Sequence, residues 1–173
     1  MSAFDASPWG LGGWLSVNGK VVNHFSDAIA SHDETIFGCK IGSSDGQQIW
    51  ECLAVLVALR LWAPLFREQR MSLQVRGDNV GALMLLIKMR PPSSQLAIIA
   101  RELALCIATA SFPPNVVHTP GIAHKLADLL SRVHKMGVED TISHPALSHS
   151  QRDWPEPRLA SWYKTLTAFG TAA

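Results

Sequence analysis

The sequence has little net charge: across 173 residues, 15 Lys and Arg stand against 14 Asp and Glu, a formal balance of +1. That excludes a strong overall field for holding a polyanion. A nucleic-acid partner would need local groups, bound metal ions or a neighbouring domain. Cysteine is scarce too, with only Cys39, Cys52 and Cys106. They lie far apart and form neither a C-x-x-C pair nor a Cys–His ligand spacing, which argues against zinc. Cys52 and Cys106 fall inside apolar helical patterns and read as small core residues. The start, "MSAFDASPWG", lacks the basic segment and apolar run of a secretory signal. The longest apolar candidate, "CLAVLVALRLWAPLF", is interrupted by Arg60 and Pro64 and falls short of the roughly eighteen residues of a membrane span. These absences lead to an expectation of an intracellular, soluble protein of a reducing compartment, cytoplasm or nucleus, neither secreted nor membrane-bound.

What is present suits one ordinary domain with a tail. The composition is 47% hydrophobic and 17% charged, enough apolar material for a single core. Near the start, Asn18-Gly19 stands between two alternating segments, the strongest short hairpin signal. Strands are expected near 2–6, 12–17 and 20–25. Residues 26–46 are polar and glycine-containing and read as loop with at most a short extra turn. From Gln47 to about Phe66 the chain is apolar nearly all round, which predicts a central, buried helix. "MSLQVRGD" alternates as a strand ending at Asp78, and "NVGALMLLIKMR" follows as a helix stopped by Pro91-Pro92. A serine-capped helix comes next. "NVVHT" is a short strand, Pro120-Gly121 a turn, and residues 122–133 a last helix.

The order β-β-β-α-β-α-α-β-α predicts an α/β fold. Its five-stranded mixed sheet is antiparallel at one edge, parallel elsewhere, with helices on both faces. The polar, Pro-rich composition beyond residue 133 divides the chain into a domain at 1–133 and a tail at 134–173. The tail is expected to be a linker, with one short helix possible in "LASWYKTLTAF".

Four acids stand where a plain fold would not need them. Each has an ordinary explanation taken singly. Asp5 sits in a strand, where aspartate is depleted, and suits an edge or a turn cap to Ser7. Glu51 near the start of the apolar helix interacts favourably with the helix dipole. Asp78 suits an N-cap. Asp128 suits an ion pair with Arg132 or Lys125. Taken together they mean something else. Ligands of open α/β sheets gather at the carboxyl ends of parallel strands, beside helix starts. Four carboxylates converging there would repel one another unless cations lay between them. Hard oxygen ligands without His or Cys favour Mg²⁺ or Mn²⁺, and two such ions clamp an in-line phosphoryl displacement.

At this point four segments carry a resemblance. "FDASPWGLGGWL", "QQIWECLAVLVALRLW", "LQVRGDNVGALMLL" and "HTPGIAHKLADLLSR" resemble the ribonuclease H domain of retroelement reverse transcriptases, gypsy-like and especially DIRS-like. The resemblance covers residues 2–132. It implies a ribonuclease H fold whose acidic tetrad, Asp5, Glu51, Asp78 and Asp128, holds two Mg²⁺ ions, with Mn²⁺ able to substitute. It implies that His118 is a mobile histidine serving proton transfer or product release. It places Gln47 and Gln48 at the minor groove of the substrate, with Ser7 and Asn79 as further substrate contacts. The implied activity is endonucleolytic hydrolysis of the RNA strand of an RNA–DNA hybrid. The partner would be an upstream reverse transcriptase polymerase. The alternative is a catalytically inactive remnant, or a connection-type domain that binds and does not cut.

Two departures stand out. Where the family pattern "H-x-P-G-x-x-N-x-x-A-D-x-L-S-R" has Asn, this chain has His124, either a partner supporting Asp128 or a surface residue one turn before it, with the surface reading preferred. Between the two middle helices only "PPSSQ" is found, with no basic protrusion to grip DNA. Weak hybrid binding by the isolated domain follows. The first motif begins at residue 4, so any polymerase lies outside this sequence. On that reading the chain is an excised domain, a gene fragment or a degraded element copy.

Overall fold

A computed structural model describes residues 1–67, 73–110, 115–119, 124–137 and 142–168. The first three strands, β1 (Ser2–Ala6), β2 (Gly10–Val17) and β3 (Lys20–Ala28), form an antiparallel meander. Its β2–β3 turn is Asn18-Gly19, both with positive φ (51° and 77°), the conformation a two-residue hairpin requires. Strand β4 (Gln74–Gly77) pairs parallel with β1, and β5 (Asn115–His118) pairs parallel with β4. The sheet order is β5-β4-β1-β2-β3-β6. The mixed sheet expected from the sequence is present, with six strands instead of five. The sixth, β6 (Gln151–Arg152), is two residues long and pairs parallel with β3.

Helix α2 (Gln47–Arg67) runs through the middle of the fold. Its side chains are buried on all sides, from Trp50 and Leu53 through Leu56 to Trp62, as its unbroken apolarity predicts. Ser44–Phe66 is long and apolar enough to cross a membrane by composition alone, contrary to the sequence reading, yet its apolar window is 72% buried inside this fold. Burial pushes the Cys52 thiol up to about 12, which makes it an inert core residue. Two further helices, α3 (Val80–Lys88) and α4 (Ser94–Ala110), follow β4. Helix α3 ends two residues before the position expected, with Met89 in the left-handed conformation at φ 50°. The expected turn at Pro120-Gly121, and the first residues of the strand starting at Met71 and of the last helix, lie outside the described residues.

Two stretches differ from expectation. Residues 26–46, read as loop, contain the end of β3 and a helix, α1 (Ser31–Phe37). Strand β3 continues because Ser26, Asp27 and Ala28 find partners at Gly12, Leu11 and Gly10 of β2. Helix α1 starts where Asp33 turns back to accept the Ala30 N–H at 2.9 Å, and stops at left-handed Gly38. The tail, read as a linker, lies against the body over residues 142–168. Helix α6 (Lys164–Ala168) falls within the segment expected to be helical. Tyr163 is fully buried, and Arg158 is ion-paired with Asp27 and Asp33. The tail's composition carries no periodicity because it docks through a few scattered anchors, Leu147, Tyr163 and the partly buried Trp162 and Leu166 with the Arg158 ion pairs, and not through one regular helix or strand face.

The last helix, α5 (Lys125–Arg132), lies directly on β1 and β2. The approach is closest at Gly12, where an added Cβ would sit 2.4 Å from the Ser131 nitrogen and 2.5 Å from the Leu130 carbonyl carbon. Both are backbone atoms that cannot rotate aside. Gly12→Ala should therefore destabilise the protein by roughly 3 kcal/mol or more, at the upper end of overpacking costs. Urea unfolding measures it; a cost near zero would show that α5 sits on the sheet more loosely than described.

Candidate active site

Strands β1 and β4 run parallel, with Ser2 opposite Val75 and Ala3 opposite Arg76. Asp5 near the end of β1 and Asp78 just after β4 therefore leave the sheet at the same carboxyl edge, the place where α/β sheets collect ligands. Asp78 has no capping duty, because the side-chain oxygen of Asn79 accepts the Ala82 N–H at 3.0 Å and caps α3. Asp5 is buried at 5% exposure and accepts a hydrogen bond from the Ser131 hydroxyl at 3.0 Å. Glu51 reaches the same edge from α2, also 5% exposed. Gln47, one turn earlier, donates to Glu51 at 2.9 Å and to the Ala6 carbonyl at 2.6 Å.

These carboxylates disturb one another. Burial pushes Asp5 up to about 6, opposed by the Ser131 hydrogen bond and the charge of His124 and helped by the charges of Asp78 and Asp128. Burial, then the charge of Asp5, holds Glu51 well above its ordinary range. Among the described residues no Lys or Arg forms an ion pair with Asp5, Glu51 or Asp78. Buried acids that repel each other without a cationic side chain between them suit a bound cation. Ligand atoms of Asp5, Asp78 and His124 all lie within 4.8 Å of one another. Such a donor set, mostly carboxylate oxygen, fits a divalent ion.

The other expected residues are placed differently. Asp128 is not drawn into the cluster: its carboxylate accepts from Arg132 Nε at 2.6 Å, and its side chain is 46% exposed. It stands on the outer side of α5, where its charge still pushes Asp5 up slightly. His118 is exposed, with Nε2 3.2 Å from the Asp78 backbone carbonyl, so it borders the cluster from β5. Gln48 is exposed at the start of α2, whereas Gln47 is tied to Glu51 and β1. Ser7, expected to touch substrate, is buried at 1%. It donates to the Ser131 carbonyl at 2.7 Å and accepts from the backbone N–H groups of Trp9 and Gly10. It anchors α5 to the sheet and cannot reach a ligand.

His124 is the residue that reading the sequence missed. Expected at the surface, it is 4% exposed, and its Nε2 lies 2.6 Å from the Phe4 carbonyl. A signal for this exists: His124, Ala127, Leu130 and Ser131 are all buried, at the spacing of one helix face. Lys125, Leu129 and Arg132 are exposed, and Asp128 sits with them.

The sequence matches no family model and no curated protein. The structure is similar to the crystal structure of RNase H1 from the halophilic archaeon Halobacterium salinarum, with a TM-score of 0.59 at 19% identity. That match covers 77% of this chain and 94% of the other. The chain has the ribonuclease H-like fold. A second similar structure is LC11-RNase H1 in complex with an RNA/DNA hybrid, with a TM-score of 0.60 at 16% identity, covering 75% of this chain and 91% of the other. In the ribonuclease H-like fold of this chain, the edge that carries Asp5 and Asp78 is where β1 and β4 end side by side.

Proposed function

We propose that this chain is an endonuclease of the ribonuclease H type that hydrolyses the RNA strand of RNA–DNA hybrids with divalent metal ions. The observation that carries the reading is the meeting of buried Asp5 and Glu51 with half-buried Asp78 at the carboxyl edge of a ribonuclease H-like sheet, with no Lys or Arg ion-paired to them among the described residues. The hybrid bound to one of the similar proteins supports the same substrate here. Asp5, Asp78 and Glu51 are the residues that would hold two Mg²⁺ ions, with Mn²⁺ as a substitute. When bound, such ions lower the pKa of an attacking water and neutralise charge on the scissile phosphate.

The chain's own groups set up the rest. The Ser131 hydroxyl fixes one oxygen of Asp5, and Gln47 fixes one oxygen of Glu51. The cluster is therefore held from α5 and α2 before any substrate arrives. His118 stands exposed beside Asp78, where it can carry a proton to or from the leaving group at the rim. Gln48 is free to donate to groove atoms of the hybrid. A retroelement origin, with a polymerase domain upstream, is the setting the sequence motifs support. It also accounts for the near-neutral charge of a domain that a polymerase would hold on its substrate.

One observation favours a second reading, a domain that binds hybrid and does not cut: Asp128 is engaged by Arg132. A labelled RNA–DNA hybrid incubated with the purified chain decides between them. Cleavage of the RNA strand with Mg²⁺, abolished by a chelator, is the expected result. Retention of the hybrid without cleavage in either Mg²⁺ or Mn²⁺ would establish the second reading.

A further inference from the structure

The cluster at the sheet edge contains a nitrogen donor. The Phe4 carbonyl can only accept, so the ring hydrogen lies on His124 Nε2, which donates to it at 2.6 Å. Nδ1 is then the ring nitrogen left to present a lone pair. A metal-binding histidine usually has this arrangement: its other N–H is given to a backbone carbonyl, which fixes the tautomer and the ring plane. The carbonyl belongs to the residue directly before Asp5, so β1 orients the histidine and supplies the carboxylate beside it. His124 is 4% exposed, and one of its ring nitrogens lies within 4.8 Å of ligand oxygens of both Asp5 and Asp78. Meanwhile Asp128, one turn further along α5, faces outward to Arg132. The helix has turned a histidine inward and an aspartate outward.

We infer that His124 is a direct metal ligand, and that Asp5, Asp78 and His124 form a mixed nitrogen–oxygen site preferring a first-row transition ion to Mg²⁺. The inference rests on reading this cluster as a metal site. Its physical basis is ligand hardness. Mg²⁺ takes oxygen donors almost exclusively, whereas an imidazole nitrogen raises affinity for softer divalent ions. Replacing that nitrogen by an amide oxygen should remove the preference while leaving an oxygen site behind.

The test uses the full chain loaded with Mn²⁺ and no nucleic acid. Pulsed EPR of the wild type should show nitrogen modulation from a directly bound imidazole. His124→Asn keeps a donor for the Phe4 carbonyl and should lose the modulation. His118→Ala should retain it. By titration, His124→Asn should weaken Mn²⁺ binding roughly 10- to 100-fold, the scale of losing a metal-site partner, and Mg²⁺ binding far less. Mn²⁺ bound without nitrogen modulation in the wild type overturns the inference and leaves the metal site standing. So does modulation that survives in His124→Asn or disappears in His118→Ala. Failure of the wild type to bind Mn²⁺ or Mg²⁺ at all overturns both the inference and the metal-dependent function. Should His124→Asn not fold, His118→Ala decides: modulation that persists there supports His124, and modulation that disappears overturns the inference.

Discussion

Asp5→Asn is expected to abolish hybrid cleavage and to make the metal-free protein more stable at neutral pH. The two effects share a cause. Asp5 is buried among like charges, and its carboxyl rises from an ordinary 3.8 to about 6. An acid whose pKa is raised by folding binds more protons in the folded state between those two values. Its stabilising contribution is complete below about 3.8 and is lost as pH climbs to about 6. At pH 7 the ionised group therefore works against the fold by roughly 2–3 kcal/mol, at 1.36 kcal/mol for each tenfold change in the proton equilibrium. Asparagine carries no charge and still accepts from the Ser131 hydroxyl, so it keeps the contact and removes the repulsion. It also removes a ligand oxygen with formal charge, which a metal-dependent nuclease cannot lose. Melting curves in chelator should show the wild type losing stability between pH 4 and 6 and the variant losing less, since Glu51 contributes in the same direction. Adding Mg²⁺ should stabilise the wild type and leave the variant nearly unchanged. A variant that melts lower than the wild type at pH 7, or that still cuts hybrid, would remove the case for an electrostatically strained metal site.

Most of this architecture was legible because its signals are local or periodic. Asn18-Gly19 specified the hairpin, and the unbroken apolarity of Gln47–Phe66 marked the central helix. Asp78 was recognisable because a strand pattern ended on it and a helix pattern began beside it. Asp5 stood out because aspartate is rare in a strand. What stayed hidden depends on pairings between distant positions. Helix α1 is polar, and its one buried acid, Asp33, finds its partners in Arg158 and Tyr163, far along the chain. Nothing within residues 31–37 reports that. Ser7 looked like a free hydroxyl because the Ser131 carbonyl that takes its hydrogen bond is 124 residues away. The exchange of His124 for Asp128 is different: the buried face of α5 was readable from its spacing, and the motif resemblance drew attention to the acid instead. A motif identifies residue types. Which of two neighbours faces inward is decided by the helix face that packs on Gly10 and Gly12.

The tail supplies the second large effect. Arg158→Met should destabilise the protein by about 3–5 kcal/mol, the range for breaking one side of a buried pair. Arg158 is 4% exposed and donates to Asp33 through Nε at 3.0 and 3.2 Å and through Nη2 at 2.8 Å. It also reaches Asp27 and the Ala28 carbonyl. Methionine fills similar space and offers no donor. Asp33, which is fully buried, would keep only the Tyr163 hydroxyl and the Ala30 N–H, both at 2.9 Å. An ionised carboxylate with its counter-charge gone is the costly species, so the damage should be repaired from the other side. In the double variant Asp33→Leu with Arg158→Met, most of the loss should return, because replacing both partners by apolar groups removes the unpaired charge altogether. For a chain of this length the single variant should melt on the order of 10 °C lower. Residues 142–168 should also become sensitive to protease before the rest of the protein unfolds. A loss below about 1 kcal/mol, in the range of exposed pairs, would show that the tail behaves as the loose linker its composition suggests. A double variant no better than the single would show that Arg158 acts through its packing and not through the charge of Asp33.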